Sequence, residues 1–361
     1  MPVGSDYETY KALVGNDYAS GRVTRDQIRR IPAFRRARDL ICGVPAQLPL
    51  HAIRERDGKE VSHDLLVQPE SPNGLVRVVT VARTLEDLWY DSRSLWLVLQ
   101  RNEKGFPTAV ERIPVGEWTQ DEDGLIRVRG RELRIEDGKF PGILFISPAD
   151  PMVESAAPTV KRLLRLEAAV ELYNQSPEAA EYFTAPGILP NDPMLTEFLT
   201  AWNASRQARS TGFIPDGVER HEVQRMTPQE LSLIDSREFE IKECARCTGI
   251  DPSWLAVNQT TRSYTNEQDI RRAFTDLTVG LLTSALEQRL SLNDVTPRGH
   301  KVLINWDAFL RGNTKERYET YKIAAEIGQI TGKPPVTGDE IRELENRSPL
   351  GDNNNGEQTD E

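Results

Sequence analysis

The stretch that most constrains this chain is Thr227 to Leu290, which reads as two capped helices with a polar loop between them. Thr227 is placed as an N-cap, Pro228 suits the first helical position because its missing N–H has no partner there, and Glu230 completes a reciprocal capping box. Leu231, Ile234, Glu238, Ile241 and Ala245 follow the helical period, and Gly249 can take the positive φ that ends the helix. Asp251-Pro252-Ser253-Trp254 opens one further short turn. The next residues, Val257 to Tyr264 (VNQTTRSY), have no apolar period and little to bury, so an exposed loop is expected. Thr265 with Gln268 forms a second capping box. The helix it starts has Ile270, Phe274, Leu277, Leu281, Leu282, Ala285, Leu286 and Leu290 as its apolar positions.

Composition narrows what such an arrangement can serve. At 361 residues the chain is long enough for two or three domains or one elongated multi-part subunit. Its 38% hydrophobic content is modest for that length, which fits apolar surface reserved for neighbouring subunits. The net charge of −11 argues against a surface that grips nucleic acid throughout, because such binding runs on Lys and Arg displacing counterions. Four of these charges (Asp352, Glu357, Asp360, Glu361) belong to the tail GDNNNGEQTDE, which has nothing to bury and is expected to be disordered; the rest of the chain carries −7. Cys42, Cys244 and Cys247 form no disulfide framework, in keeping with a reducing cytoplasm. No apolar run reaches membrane-spanning length and MPVGSDYETYKAL lacks a leader's pattern, so a soluble, unsecreted protein is expected.

Along the chain, residues 1–27 are polar and poorly periodic, an arm that would order on assembly. A helix is expected over Ile28 to Val44, with Ile28, Ile31, Phe34, Ala37, Ile41 and Val44 on its apolar side. Seven arginines (22, 25, 29, 30, 35, 36, 38) crowd this region, and without interleaved aromatics or a glycine cradle they read as a solvated or subunit-contacting face. A strand starts at Leu48, a helix covers Leu75 to Tyr90, and strands follow at Leu95–Arg101, Val110–Pro114, Glu117–Thr119, Ile126–Arg129 and Gly142–Ser147. The first 150 residues are therefore α+β and mostly antiparallel. A long helical pattern begins near Ser155 and carries Val160, Leu163, Leu164, Leu166, Ala169, Val170 and Tyr173; Ser176-Pro177 should kink or restart it. A short strand at 186–190, a helix over Leu195–Arg206 and two strands within Thr211–Val223 joined near Asp216-Gly217 make a small α/β insertion. After the opening stretch come a strand at Lys301–Trp306, a turn at Asp307–Leu310, a helix over Thr314–Ile330 and a last capping box from Thr337 to Glu340.

The chemistry that the residues exclude is as informative. Cys244-Ala-Arg-Cys247 has no second ligand pair, the four histidines (51, 63, 221, 300) are scattered, and both cysteines sit one turn apart in a helix, so they read as packing rather than metal or redox ligands. GxxxxGK[ST] and GxGxxG cradles are absent, and Thr331-Gly332-Lys333 is followed by Pro334. No GxSxG elbow or HExxH helix occurs, so no catalytic residue, cofactor or metal site is expected.

The order of elements and several short motifs resemble the portal proteins of tailed bacteriophages, of the siphovirus type. IRRIPAFRRARDLICGVPAQLPLHAI, from Ile28 to Ile53, is similar to the family's helix followed by an SLPL strand, here Gln47-Leu48-Pro49-Leu50. His63-Asp-Leu-Leu with Pro69-Glu-Ser-Pro-Asn73 resembles HPLxxLLxxPNP, Trp96–Pro114 and Ile143–Ser147 resemble its wing strands, and Glu181 to Leu189 resembles FFxNGxxPxGxL. TPQELSLIDSREFEIKECARCTGIDPSWL is similar to SPxDxQxLExRxFxxxEIARxFGVPPxLL, and Ser263 to Gln268 matches STYSNxEQ closely. Asn305 to Gly312 with Arg317, and Thr337 to Pro349, are similar to DxxxLLRGDxxxR and TxNEIRxxENLPP.

The resemblance implies an α+β portal subunit: an N-terminal arm (1–27), a wing (28–154), a first stem helix (155–185), a clip (186–226), a second stem helix (227–250), a tunnel loop and kinked helix (251–290), a wing strand with a small helical crown (291–350) and the acidic tail (351–361). It implies a twelve-fold ring at the capsid vertex of the virion, assembled in the host cytoplasm and passing double-stranded DNA during packaging and ejection. Implied partners are other copies of the chain, the terminase large subunit, a head-tail adaptor and the major capsid protein or scaffold, with no membrane. The implied tunnel loop is Asn258, Gln259, Thr260, Thr261, Arg262, Ser263, Tyr264 and Thr265, and the implied channel side of the stem is Glu230, Arg237, Glu238 and Lys242. Thr227–Cys247 has five acids and three bases, in keeping with a wall along which DNA slides. Two other readings stay open at this point: an enzyme using Cys244 and Cys247 or an unrecognised acidic site, and an adaptor scaffold without a channel.

Overall fold

The computed structural model describes residues 22–135, 139–175, 181–184, 193–208, 210–222, 233–255, 264–310, 314–345 and 347–348. The chain divides into two compact units, the first comprising the residues before 262 with Phe274–Ile304, the second Arg262–Ala273 with the residues from Asn305 on.

The first unit opens with α1 (Arg25–Arg30) and α2 (Pro32–Gln47). These are two helices rather than one: Ile31 precedes Pro32 and takes extended backbone (φ −82°, ψ 115°), as the proline's ring demands. Pro32 then occupies the first position of α2, and the helix runs past Pro45 instead of stopping at Val44. Thr24 and Gln27 make a capping box on α1, and the Val23 N–H donates to the Val153 carbonyl at 2.8 Å. Residues 22–27 are thus part of the packed body, not of an arm.

β1 (Leu50–Arg54), β2 (Glu60–Val61), α3 (Asp64–Val67) and α4 (Arg77–Asp91) follow, then β3 (Arg93–Arg101), β4 (Pro107–Ile113), β5 (Trp118–Gln120), β6 (Ile126–Val128), β7 (Arg131–Glu132) and β8 (Gly142–Ile146). All pairings are antiparallel. β3 lies between β4 and β8, β5-β6-β7 form a meander, and β1 lies between β2 and β11 (His300–Ile304), with Leu50 opposite Ile304. Alternation along β3 gives each face its own core. Ser94 and Trp96 face α4, where the Trp96 indole N–H donates to Thr84 Oγ1 at 2.8 Å and the ring meets Phe145 edge-on. Leu95, on the other face, packs with Ile113, Trp118, Ile126 and Val128.

The crowded arginines turn out to be internal ties rather than a solvated face. Asp87, fully buried on α4, accepts from both terminal nitrogens of Arg25 at 3.0 Å, from Arg112 Nε and Nη2 at 2.8 Å and from Ser94 Oγ at 3.0 Å. Asp91 binds Arg22 and Arg25, and the two oxygens of Glu86 bind Arg29 and Arg38. Burial pulls the Arg25 pKa down, but Asp87 and Asp91 outweigh it and raise it. Three helices are therefore joined by charge pairs as well as by Ile28, Phe34, Ile41, Leu85 and Leu88. Arg22, although paired, is exposed, as are Arg30, Arg35 and Arg36.

Next come α5 (Met152–Ser155) and α6 (Ala157–Gln175). Glu181–Thr184 is not the end of a stem helix but strand β9, paired with β10 (Glu219–Glu222) on either side of α7 (Pro193–Gln207). A helical pattern cannot reveal this partner, which lies 35 residues downstream in the register Glu219↔Thr184. Phe183 meets both Phe198 and Trp202 edge-on. Residues 211–215 form no strand, while Asp216-Gly217 is the turn expected; the strand expected at 186–190 lies outside the described residues. α8 (Leu233–Thr248) and, beyond a π-helical turn at Phe274–Val279, α10 (Gly280–Leu290) complete the unit. Side chains of α10 close the open edge of the β1–β11 sheet: Ser291 Oγ, just past its end, accepts from the Val302 N–H and Glu287 Oε1 from the Ile304 N–H.

The second unit contains α9 (Tyr264–Ala273), α11 (Asp307–Leu310), α12 (Thr314–Thr331) and α13 (Gly338–Leu344). The Thr337–Glu340 capping box forms, with the Thr337 N–H donating to Glu340 and the Glu340 N–H to Thr337 Oγ1. Arg317 and the Tyr321 hydroxyl both bind Glu345 at 3.0 Å, and Gly328 lies so near Pro334 that a Cβ there would sit 2.7 Å from the proline Cα. Among the described residues, no helix is long and apolar enough to cross a membrane.

Candidate functional site

The helix pair α6–α8 is where the candidate residues of the second stem helix converge. α8 ends as its sequence requires: Gly249 takes φ 67°, and the Ile250 N–H reaches back to the Ala245 carbonyl at 3.2 Å, closing the last turn. Its start, with Thr227, Pro228 and Glu230, lies outside the described residues. Val160 and Leu163 of α6 and Cys244 and Ala245 of α8 supply buried apolar surface.

Two ion pairs join these helices. Arg162 Nε donates to Glu240 Oε1 at 2.9 Å, and Arg162 Nη2 also reaches Thr159 Oγ1. Hydrogen bonding to Glu240 raises the Arg162 pKa, keeping the pair charged. Arg237 donates to Glu167 at 2.8 Å, so this expected channel residue is engaged across the helix pair while staying half exposed. Arg246 pairs with Glu243 on α8 itself. What α8 leaves in water is of mixed sign: Asp235, Arg237, Glu238, Lys242 and Arg246, with Phe239 beside them. Spacings of three and four place Asp235, Glu238 and Lys242 on one side of the helix. A surface of this kind has no net attraction for a polyanion.

The two cysteines that stood out in the sequence lie inside this packing. Cys244 is fully buried, and burial pushes its thiol up to about 12. Cys247 Sγ is 3.5 Å from Thr159 Oγ1 of α6. A thiol held protonated by burial, as that of Cys244 is, makes a poor nucleophile and a poor metal ligand. Among the described residues no group of three or more His, Cys, Asp or Glu could hold a metal.

The opposite wall of the opening stretch is anchored near the end of α8. Trp254 stacks on Phe274 with centroids 4.8 Å apart, and Thr278 Oγ1 donates to the Gly249 carbonyl. Phe274–Val279 is wound as a π-helix, and Gly280 follows where a Cβ would lie 3.0 Å from the Thr275 carbonyl oxygen. The break expected in the helix behind the loop is thus a π turn. Asn258, Gln259, Thr260, Thr261, Arg262 and Ser263 lie outside the described residues. Tyr264 and Thr265 do not belong to a loop: they are the first two residues of α9, which begins before the capping box would place it.

Sequence reasoning missed Arg162, Glu167 and Glu240 as the ties of the stem. Their separations of 78 and 70 residues give no local signal, although each acidic position does repeat at helical spacing.

With this geometry in place, comparison with known proteins is decisive about the family. Residues 32–346 match the phage portal protein family, and the chain belongs to it. It is 29% identical over 162 residues to the probable portal protein of Streptomyces phage phiC31; this covers 42% of the chain and about a third (34%) of that relative. The fold is similar to that of an HK97-family phage portal protein from Corynebacterium diphtheriae, with TM-score 0.63 and 22% identity over 80% of this chain and 96% of that one. It is likewise similar to chains in the necks of gene transfer agent particles. For the empty particle, computed with C6 symmetry, the TM-score is 0.61 at 18% identity, and for the native neck, computed with C12 symmetry, 0.58 at 19%; both cover 90% of this chain and 94% of that one.

Proposed function

We propose that this protein is a non-enzymatic portal subunit whose copies form a closed ring of twelve at one vertex of a phage capsid. The observation that carries the proposal is the family match over residues 32–346, which takes in the packed body from α2 onward. The ring gives double-stranded DNA its passage into the head and out again. It serves as the dock for the terminase large subunit and, later, a head-tail adaptor, and it sits within a shell of major capsid protein or scaffold. Its places are the virion and, during assembly, the host cytoplasm.

Support for a channel comes from the exposed stripe of α8. Asp235, Arg237, Glu238 and Lys242 give a wall of mixed sign along which a polyanion slides without being held. In the tunnel loop that the family resemblance implies, Arg262 is the residue whose chemistry suits phosphate, and Tyr264, at the first position of α9, is the one that suits a base. Negative-stain microscopy of the purified chain tests the ring directly. Closed rings are expected, and monomers under every salt condition would overturn the reading. A DNA-packaging assay with Arg262→Ala and Tyr264→Ala tests the loop, with reduced packaging by intact rings expected and unchanged packaging counting against it.

A further inference from the structure

The first unit holds a cavity of about 130 Å³ that neither the stem nor the channel uses. It lies where the start of α3, the turn joining β3 to β4 and the turn entering β11 come together, and the paired residues Ala52 of β1 and Val61 of β2 also line it. Pockets for whole cofactors start at roughly 300 Å³, so this one suits a single side chain.

Its polar lining favours a cation. Asp64, at the first position of α3, is exposed and makes no ion pair among the described residues. His300 sets its Nδ1 against the Pro297 and Arg298 carbonyls at 3.3 and 3.2 Å. A carbonyl can only accept, so Nδ1 carries the proton and Nε2 keeps its lone pair. The Thr296 hydroxyl donates to the Leu290 carbonyl at 2.7 Å, so it can only accept from His63 Nε2, 3.3 Å away. Burial lowers the His63 pKa, and this second ring adds no positive charge at neutral pH. No lysine or arginine lines the cavity, while Phe106 contributes an aromatic side chain to its wall. A carboxylate, an imidazole lone pair and an aromatic face together match a planar cation with several donors. Guanidinium has five N–H groups in a rigid fork and stacks on aromatic rings, whereas ammonium is a compact point charge with no planar face.

We propose that this cavity receives an arginine side chain of a protein partner, its guanidinium donating to Asp64 and to His300 Nε2 and lying against Phe106. The site is independent of the ring proposed above.

The probe is Nα-acetylarginine amide, compared with its citrulline analogue, which has the same shape but a neutral urea. Saturation-transfer NMR observes the small molecule, so the full-length chain serves in any state of assembly. At pH 7.5 and fixed ionic strength, saturation of the arginine side-chain protons is expected, with the citrulline compound bound about tenfold more weakly. Asp64→Asn should weaken arginine binding by about the same factor, and His300→Phe by a smaller one, each with unchanged circular dichroism. The two positions lie on separate elements, so a folding defect in one variant leaves the other to decide. Equal binding of the arginine and citrulline compounds, or undiminished arginine binding by the folded variants, would overturn the assignment.

Discussion

Around Asp87, hydrogen bonds from Arg25, Arg112 and Ser94 converge on a carboxylate that water does not reach. Between α12 and α13 the ties are Glu345 with its two partners and a glycine–proline contact, on a helix whose remaining flanks lie open. Both regions join helices, but only the first consumes its charges and apolar side chains internally. A buried charge network over-determines one arrangement and leaves nothing for a neighbour. The helix pair leaves Tyr318, Ile323 and Ile330 of α12 exposed to water.

Breaking the first region should therefore be far more costly than breaking the second. Asp87→Ala leaves Arg112 without its carboxylate and Arg25 with Asp91 alone, and urea unfolding should show a loss of about 3–5 kcal/mol, the usual cost of removing one partner of a buried pair. A loss below about 1 kcal/mol would mean the network is dispensable. Next in size is Gly249→Ala, which forces a Cβ into the left-handed region at φ 67° and should cost about 1–2 kcal/mol. In the second unit, Thr337→Ala removes the N-cap of α13 and should cost about 1 kcal/mol, read as a lower helical signal and an earlier melt. Least of all, Lys322→Ala breaks a pair with Glu326 that is open to water, and monomer stability should change by less than about 0.5 kcal/mol.

Acid sharpens the same contrast. His63 lies against Thr296, and burial lowers its pKa, so the unfolded chain takes up a proton more readily than the folded one. Its contribution is complete above the ordinary value of 6.5 and is lost as pH falls through that value toward the lower folded one. In the second unit Glu340, whose pKa is lowered by its bonds to the Thr337 N–H and hydroxyl, keeps its contribution until pH falls below 4.5. Unfolding midpoints at pH 7.5 and 5.5, with His63→Asn as reference, should show the wild-type first unit alone losing stability over that interval.

Much of the fold was legible because its helices are punctuated locally. The Thr337–Glu340 box, Gly249 and the turn at Asp216-Gly217 each need only their neighbours in sequence, and all three are present. The break at Ile31-Pro32 and the Thr24–Gln27 box were equally local, yet the arginine run obscured both. Strand β9 was not legible, because EYFT continues a helical pattern and only pairing with Glu219–Glu222 makes it a strand. The site divides in the same way. The packing role of Cys244 follows from its helical position, whereas the partnership of Arg237 with Glu167 depends on how two distant helices meet.

The tie between Arg25 and Asp87 also has a consequence in time. Arg25 leaves the ribosome 62 residues before its buried acceptor, and Arg112 follows that acceptor by another 25. At about 5–20 residues per second, the first helix waits on the order of several seconds before its guanidinium has a carboxylate to meet. α1 thus has no tie to Asp87 until that residue has emerged, and the buried carboxylate lacks its second guanidinium until Arg112 follows.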